Sequence, residues 1–322
     1  MTTTSNSEGI SLDLARTYFR LFVNRRAHTV QAMSPTPGMD RCGFFKPRGE
    51  VPLTLAKVQA HLAGQVTVGL YAISPATQRS KWLCLDADYS GAVADLTRVQ
   101  DCLRSDGVHA ALEESRRGGH LWFFAEEPLL AVELRTYIFD VLARVGVALK
   151  NEAAHLEGVE IFPGQDWLLP GSFGNAMRGP LGVHRSAGRR FWFVGVEHNL
   201  AAQIAFLASL PKLIATDLAK LIAGKARATT TIRTTQKTLK SRWSILDFIS
   251  TPLRRSGREY RTACPSCRLQ GGDREGDDLS ISIERPSTFR CWHGCTKDEI
   301  RRAAGCSRNT VEENLRRMGV IQ

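Results

Sequence analysis

The sequence contains no long hydrophobic run, and this excludes one broad class of protein. None of its apolar stretches approaches the ~18 residues that a membrane-spanning helix needs. The first nine residues are polar and do not follow the charged-then-apolar order of a secretory signal. We therefore expect a cytoplasmic protein with no membrane partner, in which the eight cysteines stay reduced.

Acidic residues are scarce relative to basic ones. The 322 residues include 43 Lys and Arg but only 32 Asp and Glu, so the formal net charge is +11. Such a charge indicates a polyanionic partner. The excess is unevenly placed: residues 1–224 carry 23 − 21 = +2 and residues 225–322 carry 20 − 11 = +9. This asymmetry predicts a first domain over residues 1–224, a basic linker over 225–242, and a small domain over 243–322.

A Gly-x-Gly-x-x-Gly run after the first predicted strand is also missing, which argues against a Rossmann-type nucleotide binder. Hydrophobic residues make up 43% of the chain, enough for a substantial core. Apolar runs predict strands at residues 66–73, 82–85, 110–112, 121–124, 159–162 and 191–196, and helical spacing predicts helices at 12–23, 91–106 and 131–145. This alternation is typical of an α/β or α+β domain.

Two carboxylates follow the apolar strand at residues 82–85. Asp86 and Asp88 are two residues apart, so on a strand their side chains share a face. Such close like charges repel each other, and a divalent cation between them removes the penalty. Hard oxygen ligands of this kind suit Mg²⁺ or Mn²⁺. The alternative interpretation is a strand end with two solvated carboxylates.

A turn between two predicted strands carries potential phosphate ligands. Residues 114–120 read Glu-Ser-Arg-Arg-Gly-Gly-His, so Ser115, Arg116, Arg117 and His120 offer hydrogen-bond donors. Glycines such as Gly119 allow a backbone to approach a ligand closely. The alternative is an ordinary basic hairpin turn with a structural histidine.

A third group of polar residues surrounds a later strand. Glu160 lies near the end of the predicted strand at 159–162 and is our candidate for a third metal ligand, with Asp166 as the alternative. Asn175, Arg178 and His184 lie on a loop rich in Gly and Pro, from which they can converge on a polyphosphate. Both features also fit an acidic strand end and a long surface loop.

In this order the three groups resemble the archaeo-eukaryotic primase superfamily, whose pattern is Asp-x-Asp, a Ser-containing turn that ends in His, and a later acidic residue. The closer resemblance is to primase-polymerases of bacterial conflict systems and mobile elements, through His61-Leu62-Ala63-Gly64, the run from His120 to Phe124, and Phe162-Pro163-Gly164-Gln165-Asp166.

The resemblance implies an enzyme that makes or extends primers on single-stranded DNA from nucleoside triphosphates. It implies that Asp86, Asp88 and Glu160 hold Mg²⁺ or Mn²⁺ ions. The implied nucleotide ligands are Ser115, Arg116, Arg117, Gly119, His120, Asn175, Arg178 and His184. The sequence contains no helicase motif, so we expect unwinding to need a separate helicase partner.

Four cysteines near the end of the chain have the spacing of a zinc site. Cys264 and Cys267 form a C-x2-C pair, and Cys291 and Cys295 form a C-x3-C pair 23 residues later. Four thiolates on two such turns match a tetrahedral structural Zn²⁺ site. The alternative is a coincidental arrangement of reduced cysteines, and His293 is an alternative ligand to Cys291 or Cys295.

The surroundings of these cysteines resemble the zinc-binding domain of bacterial replicative primases over residues 243–304. That family usually has His where this chain has Cys267. Its module helps to select the template start site, which implies DNA binding here. Basic residues near aromatic ones, here Tyr260, Phe289 and Trp292, suit single strands. The candidate DNA-binding residues are Arg254, Arg255, Arg258, Tyr260 and Arg261. A purely structural zinc ribbon is the alternative. Residues 297–318 predict a helical hairpin tail that resembles a helix-turn-helix.

Two classes of function are compatible with these features. The first is a metal-dependent primase-polymerase with a C-terminal zinc-ribbon domain. The second is a zinc-dependent replication initiator or regulator that binds DNA without catalysis and uses the first domain as a scaffold. The Asp86 and Asp88 pair favours the enzyme, since a regulator has no need for two carboxylates beside a phosphate-binding turn.

Overall fold

A computed structural model describes residues 9–35, 39, 41–47, 51–150, 157–168, 172–227 and 244–306. It confirms the prediction of a mixed protein of helices and strands. Every strand ladder within these residues is antiparallel. The arrangement is therefore of the α+β kind. No helix in these ranges is long and apolar enough to cross a bilayer.

The first sheet has four strands in the order β2-β1-β3-β8. Its strands are β1 (His28–Gln31), β2 (Phe44–Phe45), β3 (Val68–Tyr71) and β8 (Ala176–Arg178). Helices α1 (Leu12–Phe22) and α2 (Leu55–Leu62) pack on each other. Each begins after a hydroxyl side chain, Ser11 or Thr54, that accepts a hydrogen bond from a backbone N–H of the first turn.

The second sheet also has four strands, in the order β5-β6-β4-β7. Its strands are β4 (Arg79–Ala87), β5 (Ala110–Glu114), β6 (Gly119–Leu130) and β7 (Val159–Phe162). The helices of this region are α3 (Ala92–Ser105), α4 (Ala131–Val145), α5 (Leu200–Ser209) and α6 (Ala215–Ile222). Helix α5 contacts α1, and α4 contacts both α3 and α6.

Both faces of the second sheet are buried, which explains why its central strands read as continuous apolar runs. Trp82 and Trp122 point to the face that shares a core with α1. Leu83 and Leu121, one residue further along, belong to the opposite core with residues of α3 and α4. Because side chains alternate along a strand, Asp86 lies on the same face as Trp82.

The predicted strand at residues 191–196 is wrong. These residues contact β5 only through the bridge between Glu113 and Phe193, among the residues described. The side chain of Gln203 forms hydrogen bonds with both backbone groups of Phe193. Its Oε1 accepts from Phe193 N at 2.8 Å, and its Nε2 donates to Phe193 O at 3.3 Å. A separate hairpin forms earlier, from β9 (Val183–His184) and β10 (Arg189–Arg190).

The C-terminal region has its own sheet and its own core. After a 3₁₀ turn (Ile245–Phe248), the sheet runs in chain order through β11 (Arg254–Ser256), β12 (Glu259–Thr262), β13 (Leu279–Ser282) and β14 (Phe289–Cys291), with helices α7 (Pro265–Leu269) and α8 (Lys297–Ala303). Its core draws only on residues 245–306. Most of the predicted linker and the second half of the predicted helical tail lie outside the described residues.

Two arginines that follow α1 connect the C-terminal region to the rest of the molecule. Arg25 donates from Nη2 to Asp247 Oδ2 at 2.6 Å, and its side chain is 2% exposed. Arg26 donates to the backbone oxygens of Ile249 and Thr251 at 3.1 and 2.7 Å. A guanidinium group with this many donors fixes the position of its partner segment.

A buried histidine joins α2 to the first sheet. His61 is fully buried, its Nδ1 accepts from Val68 N at 3.3 Å, and its Nε2 lies 3.1 Å from Pro180 O. Burial lowers its pKa to about 4, so the folded protein holds the ring neutral. A Cβ atom on Gly182 would lie 1.9 Å from the ring, so the space around His61 admits nothing larger than glycine there.

We predict that acid weakens the fold through His61. Its folded pKa of about 4 lies below the unfolded value of about 6.5, so its contribution is complete above pH 6.5 and is lost as the pH falls towards 4. The loss amounts to about 3 kcal/mol. Chemical denaturation between pH 7 and 4 should show a shallower pH dependence for His61→Gln. The exposed His109 provides the control, because His109→Gln should keep the wild-type slope. Equal slopes for all three proteins would contradict the prediction.

Candidate active site and metal centre

The register of the second sheet places four polar side chains in one row. Asp86 on β4 pairs with His120 on β6 and with Glu160 on β7, and His120 pairs in turn with Glu113 on β5. Directly paired residues on neighbouring strands share a face. The row therefore reads Glu113, His120, Asp86, Glu160 across all four strands, at the end of the face that Trp82 also occupies.

The turn between β5 and β6 brings the second carboxylate into contact with this row. Ser115 Oγ accepts from Gly118 N at 3.1 Å and lies 3.4 Å from Asp88 Oδ1, to which it donates. Arg117 forms an ion pair with Asp88. A Cβ atom on Gly118 would lie 2.1 Å from the Ala87 carbonyl oxygen, so the turn presses directly on the end of β4.

An open cavity of about 460 Å³ lies above these groups and between the two sheets. Eight of the residues that the sequence proposed line it: Asp86, Asp88, Ser115, Arg116, Arg117, His120, Arg178 and His184. The first sheet contributes Phe44 and residues 176–178, and the loop before β2 contributes Arg41. The Asp86 and Asp88 carboxylates thus share one cavity with the 115–120 turn, which is the arrangement the proposed chemistry requires.

Three other candidates lie differently. Glu160 is beside Asp86 in the sheet but is not among the cavity-lining residues, and Asn175 bonds Gln165. Gly119 packs closely against Leu96 and Leu112, since an added Cβ would come within 3.2 Å of both. Its lack of a side chain serves the packing of β6 and not an approach to a ligand.

The structure also separates Glu160 from its alternative. Asp166 is 9% exposed and its Oδ1 accepts from Arg135 Nε at 2.6 Å. That pairing already neutralises Asp166, and it is not among the residues that line the cavity. Val159, next to Glu160, belongs to the apolar core on the other face of the sheet. Among these residues Glu160 is the one in register with Asp86.

Each of the three carboxylates has a basic neighbour. Asp88 pairs with Arg117, Asp86 Oδ1 lies 3.5 Å from His120 Nε2, and Glu160 Oε2 lies 3.7 Å from Lys150 Nζ. The carboxylate oxygens of Asp86, Asp88 and Glu160 do not all lie within 4.8 Å of one another. In the described part of the chain, the groups of potential metal ligands that meet this distance are found near the C-terminal cysteines. Cation binding would therefore require these side chains to turn towards each other.

The electrostatics of the row fit a divalent cation. Burial raises the pKa of Asp86, His120 opposes this, and Asp88 adds to it. Burial likewise raises the pKa of Glu160, with Lys150 opposing and Asp86 adding. Asp86 Oδ1 is buried and accepts no hydrogen bond. A buried carboxylate oxygen that accepts no hydrogen bond, beside other carboxylates, is costly even with His120 Nε2 3.5 Å away, and a bound Mg²⁺ or Mn²⁺ ion would relieve that cost.

Glu113 belongs to the site although no local sequence pattern selected it. It is fully buried, and its carboxylate accepts from His120 Nδ1 at 2.7 Å, Trp122 Nε1 at 3.0 Å and Arg178 Nη2 at 2.7 Å. Burial would raise its pKa, but Arg178 and His120 outweigh that effect and lower it to about 2. The hairpin register was the available signal, since a four-residue turn places Glu113 opposite His120.

His184 supplies a neutral donor to the cavity. Burial lowers its pKa to about 4, with Arg178 and Arg116 acting in the same direction. Its Nδ1 accepts from Ala187 N at 3.1 Å, which leaves the proton on Nε2. A neutral imidazole with a free Nε2–H can donate to a phosphate oxygen.

The four C-terminal cysteines meet as the sequence predicted. Their Sγ atoms all lie within 4.8 Å of one another, with Cys267 Sγ 3.4 Å from the sulfurs of both Cys291 and Cys295. Zinc bonds of about 2.3 Å in a tetrahedron require sulfur separations of about 3.8 Å, so small shifts would seat the ion. His293 bonds Asp278 through Nδ1 at 2.9 Å. These two and Cys267 form a second, overlapping group.

One face of the C-terminal sheet carries a row of arginines. Arg254, Arg261, Ser280 and Arg290 are successive cross-strand partners from β11 to β14. Trp292 lies two residues beyond Arg290 and is 53% exposed. The guanidinium carbons of Arg261 and Arg290 lie 5.1 and 4.4 Å from the centre of its ring system.

The other predicted DNA-binding residues lie off this row. Tyr260 is 8% exposed because it alternates with Arg261 and points into the core of the module. Arg255 is its cross-strand partner, and Arg258 follows the turn glycine, Gly257. The aromatic ring exposed beside the arginines is therefore that of Trp292, and Arg290 and Ser280 were missed because only the strand register aligns them.

Comparisons with known proteins identify the family of this chain. Residues 20–221 match the model of the archaeo-eukaryotic primase domain of the TOTE conflict system. The chain therefore belongs to the archaeo-eukaryotic primase family, as the three polar groups predicted. The match ends before the cysteines, so the likeness of residues 243–304 to bacterial primase zinc domains stays a prediction.

Among solved structures, the chain is similar to the "Polymerase Domain from Mycobacterium tuberculosis Ligase D in complex with DNA". The identity is 15% and the TM-score is 0.29, over 66% of this chain and 87% of that one. A search of curated proteins found no match.

We predict that the purified protein contains about one zinc ion per chain. Replacing Cys264 and Cys267 together by serine should remove it, because the remaining sulfurs cannot complete a tetrahedral site. Elemental analysis measures the metal, and hydrogen exchange should show faster exchange over residues 244–306. Cys102→Ser is the control, since Cys102 lies outside the cluster. A double variant that keeps a full zinc complement would contradict the four-cysteine site.

Proposed function

We propose that this chain is a DNA-templated primase-polymerase that makes or extends primers on single-stranded DNA from nucleoside triphosphates. One observation carries the proposal: Asp86 and Asp88 share a single cavity with Ser115, three arginines of the 115–178 region and His184. Metal-dependent nucleotidyl transfer needs at least a pair of carboxylates beside side chains that donate hydrogen bonds to phosphate oxygens. Membership of the archaeo-eukaryotic primase family supports the same reaction class.

Asp86, Asp88 and Glu160 would hold the divalent ions. When bound, Mg²⁺ or Mn²⁺ ions lower the pKa of the attacking hydroxyl and neutralise charge on the triphosphate. The buried Asp86 Oδ1, which accepts no hydrogen bond, and the register of Glu160 support this assignment.

The basic side chains of the cavity would bind the triphosphate. Arg116 is exposed at the cavity edge, and Arg117 would be released from its ion pair with Asp88 if that carboxylate held a metal ion. Arg178 and the Nε2–H of His184 add donors from the opposite sheet. Charge-assisted hydrogen bonds to phosphate are stronger than neutral ones, so these groups both position the nucleotide and neutralise it.

The reaction then needs no nucleophile from the protein. The 3′-hydroxyl oxygen of the primer attacks the α-phosphorus, the hydroxyl proton passes to solvent, and pyrophosphate leaves. The contribution of the chain is to place the two reactants in line and to stabilise the charge that develops on the phosphate oxygens.

The zinc module would bind the template and assist initiation. We propose that it forms a separate domain over residues 243–322, joined by the basic linker to the catalytic domain at 1–224. The row of Arg254, Arg261 and Arg290 crosses four strands, which spans about 14 Å at about 4.8 Å per strand. Arginines in such a row attract the phosphates of a single strand, and an exposed tryptophan stacks on a base.

The ring of Trp292 is already fixed for stacking. Its Nε1 donates to Ser280 Oγ at 2.9 Å, and Arg261 Nη1 donates to the same oxygen at 2.8 Å. Ser280 Oγ in turn donates to Glu259 Oε2 at 2.8 Å. A ring held in one orientation loses little conformational entropy on binding.

The alternative is a zinc-dependent DNA-binding initiator or regulator without catalysis. The same row of arginines favours DNA binding in both cases. The two functions differ in what the wild-type protein does with Mg²⁺ or Mn²⁺, nucleotides and a single-stranded template: only the enzyme incorporates nucleotide.

We predict that Asp86→Asn lowers primer synthesis at least about 100-fold, because the amide cannot provide the charge that holds a divalent ion. The assay supplies wild type and variant with Mn²⁺ or Mg²⁺, labelled nucleotides of either sugar type, and a single-stranded template. Binding of that template should change little.

The matched control is Asp101→Asn, which removes an exposed carboxylate of α3 that pairs with Arg104. It should synthesise primers at the wild-type rate. Undiminished synthesis by Asp86→Asn would remove the catalytic assignment, and template binding by a wild-type protein that incorporates nothing would favour the alternative function.

We predict that Trp292→Ala weakens binding of single-stranded DNA by about 5- to 150-fold, the equivalent of ~1–3 kcal/mol for one stacked base. Primer initiation should suffer more than extension of an existing primer. Leu269→Ala is the control, because Leu269 is an exposed apolar residue of the same module outside the arginine row. Fluorescence anisotropy measures binding, and equal affinities of the two variants would count against the stacking role.

A further inference from the structure

The row of four polar side chains across the second sheet contains one carboxylate, that of Glu113, whose role metal binding does not explain. Glu113 lies at the outer end of the row, on β5, with His120 between it and Asp86. Two strand spacings separate Glu113 from Asp86, which is about 10 Å. Its side chain is fully buried, and both carboxylate oxygens already accept hydrogen bonds. Its contacts and its distance from Asp86 therefore do not place Glu113 to share a metal ion with that carboxylate.

We propose that Glu113 is a positioning residue that orients both His120 and Arg178 towards the bound nucleotide. The inference rests on the proposed function for its kinetic consequence. Its structural content, the proton position on His120 and the placement of Arg178, can be measured without any activity.

The contact with His120 fixes which ring nitrogen carries the proton. Glu113 remains ionised at neutral pH, since its pKa is about 2. A carboxylate only accepts, so His120 Nδ1 must donate across the 2.7 Å separation. The other nitrogen, Nε2, then faces Asp86 at 3.5 Å and the cavity. Glu113 thereby presents the same nitrogen of His120 to the nucleotide site in every molecule.

The contact with Arg178 joins the two sheets. Arg178 ends β8 of the first sheet, opposite Gly69 of β3, whereas Glu113 lies on β5 of the second. Arg178 Nη2 donates to Glu113 Oε1 at 2.7 Å, and Nη1 donates to Gly179 O at 3.2 Å. The guanidinium is 7% exposed but lines the cavity, so its charge would face a triphosphate bound there with little freedom to move.

Trp122 completes the coordination of the carboxylate. It follows His120 by two residues on β6 and donates from Nε1 to Glu113 Oε2 at 3.0 Å. Burying an ionised carboxylate costs several kcal/mol unless it is paired and hydrogen-bonded. Three donors on one buried carboxylate therefore make its position and orientation unique.

The variant Glu113→Gln tests this role because it keeps the shape and removes the charge. A glutamine has one acceptor oxygen where the carboxylate has two. If its NH₂ group faces His120, the ring must accept at Nδ1 and move its proton to Nε2. If instead it faces Arg178, two donors oppose each other and the guanidinium is displaced.

The first readout is the histidine side-chain ¹H–¹⁵N NMR spectrum of the full-length zinc-bound protein, with His120→Gln identifying the resonance. We expect the wild-type His120 signal to show a proton on Nδ1, and Glu113→Gln to change either that pattern or the guanidinium signals of Arg178, depending on which way the amide turns. A His120 pattern and Arg178 guanidinium signals that are both identical in the two proteins would overturn the proposal, whether or not the protein proves to be a polymerase.

The second readout is kinetic. Outer hydrogen-bond partners of ligand residues typically contribute 10- to 100-fold to activity. We expect Glu113→Gln to lower kcat/KM by that amount, through a higher KM for the nucleotide if Arg178 is displaced and a lower kcat if His120 changes. Combining it with Arg178→Gln should cost less than the product of the two single losses, because the two residues act together.

Asp106→Asn is the matched control. Asp106 also accepts from an arginine and an aromatic residue, Arg144 and Tyr137, but it lies outside the cavity. It should leave the His120 spectrum, kcat and KM unchanged. Wild-type kinetics for Glu113→Gln, or losses that multiply independently with Arg178→Gln, would overturn the positioning role. An inactive wild-type protein with the expected His120 spectrum would instead overturn the proposed function alone.

Discussion

The antiparallel register of the second sheet is the constraint on which the site depends. Asp86 has His120 on one side and Glu160 on the other only because β4 pairs with β6 and β7 in one particular alignment. A shift of one residue would turn every side chain of a strand to the opposite face. The apolar residues on both faces, Trp82 and Trp122 on one and Leu83 and Leu121 on the other, make such a shift costly. The core therefore fixes the geometry of the proposed site.

The same sheet explains why charges can be concentrated at its end. Each carboxylate of the row has a basic neighbour, and the deepest one, Glu113, has an arginine from another sheet and two further donors. Such pairing lets a buried acidic residue remain ionised where burial alone would favour its neutral form. The cavity between the two sheets is lined by hydrogen-bond donors from both of them, while the apolar core stays buried.

Local patterns in the sequence predicted the parts of the site that follow one another in the chain. The Asp-x-Asp pair, the Ser-to-His turn and the spacing of the four cysteines were all readable, because neighbours on a strand or turn have fixed relative positions. The alignment of strands distant in sequence was not readable. For that reason Glu113 and Arg290 were missed, and Tyr260 was selected although it points into the core. The predicted strand at residues 191–196 failed because its pairing with β5 ends after one bridge, where residues 194 and 195 form a turn with Gly195 at φ 77°. Phe191 and Phe193 pack in the core, and Gln203 from α5 bonds the backbone groups of Phe193 that face away from β5.

The contact between Gly118 and the end of β4 has a consequence for how this protein can diverge. An added Cβ at position 118 would overlap the Ala87 carbonyl oxygen, which belongs to backbone and cannot rotate away. Substitutions at positions 115, 116 and 117 would change the side chains that line the cavity. Position 118, which follows them, has room only for glycine, so the side chains of the turn can vary while its backbone conformation cannot.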